Sequence, residues 1–223
     1  SRLPVHQDGS CNGLQHYAAL GLDEKGGAAV NLLPASQPQD VYSGVLQIVL
    51  RKLAEDSATE LPVHASLDAQ MRQRCARLIE GIVDRKVIKQ TVMTSVYGVT
   101  AIGARSQIEA RLKEKLIPDA STVASKEYEK QIFEASRYLA SLTLNSLGEM
   151  FSSATGIMDW LGQCAAIVAS SGHAMSWITP LGLPVVQPYR RQKRHVVKTL
   201  LQTVTLSVDS DSLPVAVSKQ KTA

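Results

Sequence analysis

The sequence predicts an α+β fold, predominantly α-helical, with its β structure gathered near the C-terminus. Through most of residues 11–171 apolar side chains recur at helical spacing, whereas after Trp177 the residues Pro180, Gly182, Pro184 and Pro188 punctuate β-branched pairs. Of the 223 residues 44% are apolar and 20% charged, enough for one sizeable core, or a core plus an appendage, and unlike a disordered chain. A membrane-spanning helix is excluded, because no apolar run reaches about 18 residues. The best, 45–50, contains Gln47 and is followed by Arg51.

In chain order, residues 3–7 read as the end of a strand that runs into Asp8-Gly9-Ser10. Leu14, Tyr17, Ala18 and Leu20 give a helix over 11–20, which Gly21 and then Gly26-Gly27 break. Asp40 caps a helix from 41 to about 55 with the stripe Val45, Ile48, Val49 and Leu53, and 57–62 is a polar connector. Ser66 opens a helix reaching about Val83, 84–99 is helical again, and a helix from near Arg105 is stopped by Pro118. Two more amphipathic helices cover 125–147 and 156–171. Residues 196–208 and 215–217 read as strands around a turn at Asp209-Ser210-Asp211.

The formal net charge is only +4, but its placement is uneven. Residues 71–115 hold ten basic side chains against four acidic ones, and Arg190, Arg191, Lys193, Arg194 and Lys198 form a second block without an acid. Two such blocks suit a polyanionic partner, or else a solvated basic face. Cys11, Cys75 and Cys164 are odd in number and far apart, which argues against a disulfide scaffold or a thiolate zinc site and for a reducing compartment. The chain starts at Ser1 with no signal-peptide pattern, so the expectation is an internal piece of a longer protein.

Two segments carry chemistry. His6 to His16 concentrates small and polar residues where a strand gives way to a helix. A carboxylate at a strand end is a hard oxygen donor of the kind Mg²⁺ takes together with substrate phosphates, so Asp8 is a candidate metal ligand; the alternative is that it caps the next helix. His6 and His16 lack metal-pair spacing and read as structural, and without Gly-x-Ser-x-Gly a hydrolase is disfavoured. In the second segment Arg85, Lys89, Met93 and Tyr97 stand at i, i+4, i+8 and i+12. Each step advances about 40°, so the four span about 120° of one helix face. Arg and Lys one turn apart can clamp a triphosphate as fork and point charge, while Tyr97 offers a flat ring and one hydroxyl. The bland alternative is an amphipathic helix with a solvated basic face.

Together these segments resemble the single-subunit DNA-directed RNA polymerases of bacteriophages and mitochondria. The resemblance is carried by DGSCNGLQHYAAL at 8–20, PQDVYSGV at 38–45, RKVIKQTVMTSVYGVT at 85–100 and WITPLGLPVVQPY at 177–189, with wording closest to the organellar branch. It implies a partial palm plus fingers of a right-hand polymerase: palm at 1–36, helical fingers at 37–189, and a β-hairpin region at the promoter-recognition position over 190–223. It further implies that Asp8, with the Gly9 carbonyl, binds catalytic Mg²⁺ as half of a two-metal site. Arg85 and Lys89 would hold the incoming triphosphate, with Met93 beside them; Tyr97 would sit by the sugar, and Tyr42 near the template. Asp8, Lys89 and Tyr97 are the implied catalytic residues. The related DNA polymerases carry a bulky Glu where Gly13 stands, so its absence implies room for a 2′-hydroxyl. Arg190, Arg191, Lys193, Arg194 and Lys198 are the implied DNA contacts.

The implied reaction is in-line nucleotidyl transfer from ribonucleoside triphosphates to nascent RNA on a DNA template, with cations neutralising developing charge. Promoter DNA and transcription initiation factors are implied partners, no membrane is, and the implied compartment is the mitochondrion or a plastid. The family's second catalytic aspartate, in a downstream His-Asp motif, has no counterpart here, so the expectation is a fragment inactive alone. A reading from another class is a non-catalytic nucleic-acid-binding module that keeps the fingers surface; ten aromatic residues (two Phe, two Trp, six Tyr) make a poor base-stacking platform.

Overall fold

The structure, a computed structural model, describes residues 4, 9–62, 64–116, 126–187, 189 and 193–208 of the 223, with backbone alone at 193–195 and 207–208. The expected strand at 3–7, Asp8, His6, Pro118, Arg190, Arg191, the turn at 209–211 and the strand at 215–217 lie outside the described residues. The chain divides into two compact units, Ser1–Thr155 and Gly156–Ala223. Among the described residues no helix is long and apolar enough to cross a membrane.

The regular elements among the described residues of the first unit are all helices: α1 (Asn12–Leu20), α2 (Glu24–Ala29), α3 (Val41–Ala58), α4 (Leu67–Ile79), α5 (Arg85–Ser95), α6 (Ala101–Leu116), α7 (Lys126–Met150) and the start of α8 (Ser152–Ser170). Polar side chains set the helix starts by satisfying N–H groups that lack intrahelical partners. Asp40 accepts from the Tyr42 N–H at 3.1 Å, Ser66 from Ala69 at 3.2 Å, Asp84 from Lys86 at 3.0 Å, and Thr100 from Gly103 at 3.1 Å. The core lies between α3, α5, α6 and α7, where Val45, Val49, Ile88, Val92, Ile108, Leu112, Ile132 and Leu139 are fully buried. Each such side chain contributes about 1.5–3 kcal/mol.

The boundaries depart from the sequence reading where a single residue overrides periodicity. Gly26 and Gly27 do not break the helical run but lie inside α2, because a Cβ on Gly26 would come within 2.9 Å of Phe151; the missing side chain permits close packing. Helix α4 stops at Ile79, short of Val83, ahead of Gly81 with its left-handed φ of 74°. Helix α3 runs on to Ala58, α6 starts at Ala101 behind the Thr100 cap, and α8 starts at Ser152.

The second unit carries two antiparallel hairpins, β1 (Ser176–Ile178) with β2 (Pro184–Val186) and β3 (Lys193–Lys198) with β4 (Thr203–Val208). The expected strand over 196–208 is thus two strands. The chain reverses at Thr199–Gln202, where the Thr199 N–H donates to the Gln202 carbonyl at 2.8 Å and the Gln202 N–H to the Thr199 hydroxyl at 3.1 Å. No glycine or proline marks this turn; the threonine hydroxyl supplies the missing punctuation.

Candidate functional site

Helix α5 builds one wall of the site. Asp84 caps it, Val87, Ile88, Thr91, Val92 and Ser95 face inward, and Arg85, Lys89 and Met93 line up on the opposite side. Tyr97 does not continue the helix, as the spacing had it, but sits in the turn that closes it. Gly98 takes a left-handed φ of 71°, so its N–H reaches the Ser95 carbonyl at 3.1 Å and the Val99 N–H reaches Thr94 at 3.3 Å. This closure needs the glycine and holds Tyr97 at the cavity rim, 69% exposed.

The facing wall is the start of α1. Cys11 precedes it with φ 62°, a left-handed conformation that costs a non-glycine residue about 1–3 kcal/mol. The Cys11 thiol donates to the Tyr42 hydroxyl at 3.2 Å. Between the walls lies a cavity of about 380 Å³ lined by residues 9–14 together with Tyr42, Arg85, Lys89, Val92, Met93, Val96 and Tyr97. Gly9, Gly13, Tyr42, Arg85, Lys89, Met93 and Tyr97, seven of the residues singled out from the sequence, therefore meet in one place.

Tyr42, buried on α3, is the floor for both cations: the Arg85 guanidinium lies 4.8 Å from its ring centre and the Lys89 ammonium 5.7 Å. Burial, with the Cys11 contact, pushes the Tyr42 phenol up to about 12. Arg85 is also gripped from the side, its Nε donating to Asp40 Oδ2 at 2.7 Å and one Nη to Oδ1 at 3.2 Å. These bonds hold the Asp40 carboxyl down at about 2. Asp40 was legible as a cap but not as a partner of Arg85, which is 45 residues away and gives no local signal.

The basic block at 71–115 is largely neutralised. Arg72, Arg74, Arg85, Arg105, Arg111, Lys113 and Lys115 each pair with an Asp or Glu, and Arg77 donates to the Ser57 carbonyl. Arg77, Lys86 and Lys89 form no ion pair among the described residues, and of these Lys89 lines the cavity and Lys86 lies beside it. A second cavity, of about 580 Å³, shares Lys89 and Met93 with the first and adds Lys86, Arg111 and Lys115.

Gly13 has a packing role that the sequence did not disclose. A Cβ there would lie 2.6 Å from Val96 Cγ2, so the direction its side chain would take is filled by packing between α1 and the end of α5. Gly13 nevertheless lines the cavity itself, so its missing side chain serves both the close approach of the two elements and the open wall of the cavity. Of the expected DNA contacts, Lys193 and Arg194 lie on β3, opposite Val208 and Ser207, and Lys198 is exposed at its end, while Arg190 and Arg191 lie outside the described residues. Among the described residues no group of three His, Cys, Asp or Glu side chains could hold a metal ion.

Compared with known proteins, the whole chain, residues 1–223, matches the family described as DNA-dependent RNA polymerase. The chain belongs to that family. Among its curated relatives in this RNA polymerase family, it is 53% identical over 227 residues to DNA-directed RNA polymerase 1B, mitochondrial, of Nicotiana tabacum, covering 100% of this chain and 21% of that protein. It is 52% identical over 224 residues to DNA-directed RNA polymerase 2B, chloroplastic/mitochondrial, of the same plant, again 100% of this chain and 20% of the relative. For DNA-directed RNA polymerase 1, mitochondrial, of Arabidopsis thaliana the figures are 50% over 213 residues, 96% and 20%. The chain thus spans about a fifth of the length of these polymerases.

Proposed function

We propose that this chain serves DNA-templated RNA synthesis in a mitochondrion or plastid, and that the cavity between α1 and α5 receives the incoming ribonucleoside triphosphate. The observation that carries the reading is the convergence of Arg85, Lys89, Met93 and Tyr97 with Gly9, Gly13 and Tyr42 on one cavity, in a chain matched end to end by polymerase sequences. Lys89 and the outward edge of Arg85 neutralise the triphosphate, acting by position and charge without proton transfer. Tyr42 keeps both cations close to its ring, and its phenol stays neutral at physiological pH. Tyr97, held at the rim by the Gly98 turn, stacks by the sugar and presents a hydroxyl to the ribose 2′-OH.

The family's chemistry is metal-dependent, and Mg²⁺ supplies nucleophile activation and leaving-group stabilisation. The described residues do not by themselves fit an ion: Gly9 lines the cavity, Asp8 lies outside them, and Asp40 is taken by Arg85. The palm, fingers and hairpin division at 1–36, 37–189 and 190–223 belongs to the same reading, with template, nascent RNA and promoter DNA as partners. The basic hairpin strand β3 provides Lys193, Arg194 and Lys198 for DNA phosphates, in company with initiation factors.

Calorimetric titration of the chain with UTP and dUTP tests the site. Lys89→Ala is expected to weaken UTP about tenfold, the scale of one charge-assisted contact. Tyr97→Phe is expected to cut the preference for UTP over dUTP about fivefold, one neutral hydrogen bond, while leaving dUTP affinity in place. Equal affinities for wild type and Lys89→Ala would remove the triphosphate from this cavity.

A further inference from the structure

We propose that Asp40 is a positioning residue that aims the Arg85 guanidinium at the phosphates of a nucleotide in the α1/α5 cavity, an inference that rests on the nucleotide reading above. Arginine carries five N–H donors in a rigid fork. Asp40 takes two of them, on the Nε edge, at 2.7 and 3.2 Å, and no other hydrogen bond to the guanidinium is found among the described residues. The Tyr42 ring centre lies 4.8 Å from the guanidinium carbon, so with one edge clamped by Asp40 and the group resting over the ring, the other edge is left as an anion cradle.

Asp40 is suited to act as a fixed point. Its carboxylate accepts from the Tyr42 N–H at 3.1 Å and from the Ser43 hydroxyl at 2.6 Å, tying it to the first turn of α3. Arg85 is itself the first residue of α5, so one carboxylate joins the starts of two packed helices. Left alone, a side chain as long as arginine and 43% exposed samples many rotamers, and a ligand must then order it. Asp40 also subtracts positive charge from the site. The charge effect predicts tighter binding when Asp40 is neutralised and positioning predicts weaker binding, so the sign of the change tells the two apart.

The experiment is a double-mutant cycle on the full chain with UTP as the probe, at about 0.15 M salt. Asp40→Asn keeps the helix cap, because asparagine caps as well as aspartate, but lacks the charge that holds Arg85. It is expected to weaken UTP about fivefold beside Arg85, the scale of ordering one long side chain, and by less than about twofold in an Arg85→Ala background. A purely structural role would cost the same in both backgrounds. Equal losses, no loss, or tighter binding by Asp40→Asn would each overturn the proposal for Asp40 while Arg85→Ala still weakens UTP. If wild type and Arg85→Ala bind UTP alike, the nucleotide reading itself falls, and this inference with it.

Discussion

Gly13 stands where α1 meets the last turn of α5, and the identity of one missing methyl decides how closely the two can approach. An alanine Cβ would lie 2.6 Å from Val96 Cγ2 and 3.0 Å from Val96 Cβ, so one helix has to move. Alanine inside a helix otherwise stabilises relative to glycine by about 0.5–1 kcal/mol, so the sign is diagnostic. Gly13→Ala is expected to destabilise the chain by about 1–3 kcal/mol in urea unfolding, with part of the loss recovered when Val96→Ala is added. A Gly13→Ala protein more stable than wild type would contradict this packing role. At this scale the sequence disclosed Arg85, Lys89 and Met93, because helical spacing is a local property. It did not disclose Val96 against Gly13 or Asp40 against Arg85, because contacts across the fold leave no periodic trace.

Elements are held to one another at their ends by carboxylates. Asp40 at the start of α3 grips Arg85 of α5, and Asp84, the cap of α5, pairs at 2.7 Å with Lys115 of α6. The bonds from Arg85 lower Asp40 from 3.8 to about 2. Partial burial pushes Asp84 up, but Lys115 and the α5 N–H groups outweigh it and leave it lowered. A carboxylate depressed on folding gives stability that is complete above its unfolded value and is lost as pH falls through its folded one. Melting followed by circular dichroism is therefore expected to lose stability between about pH 4 and pH 2, with a shallower loss in Asp40→Asn. Identical acid profiles for the two proteins would show that the α3–α5 link contributes nothing. The starts of α3 and α4 were readable because Asp40 and Ser66 act on their own chain within three residues. The Thr199–Gln202 turn and the α2 helix were not, since a hydroxyl clasp and a glycine packed against Phe151 invert the usual meaning of those residue types.

Charge divides unevenly over the whole molecule. Residues 156–223 contain seven Lys and Arg against three Asp, which accounts for the entire +4, while residues 1–155 balance. In the helical unit Lys86 and Lys89, two of the cations without an ion pair among the described residues, line the cavities flanking α5, and the hairpin unit carries the bulk excess suited to a polyanion. The helical majority and the late β structure were legible from the change in periodicity at Trp177, and the polymerase family from four ordered blocks of residues. The division into units was not, because it falls within α8, where no composition shift marks it. The most direct measurement is photocrosslinking of the chain with an azido-labelled UTP, followed by mass spectrometry of the adducts. The account predicts adducts within residues 9–14 and 85–97 that unlabelled UTP suppresses and Lys89→Ala diminishes. Suppressible adducts mapping only outside those residues would contradict it.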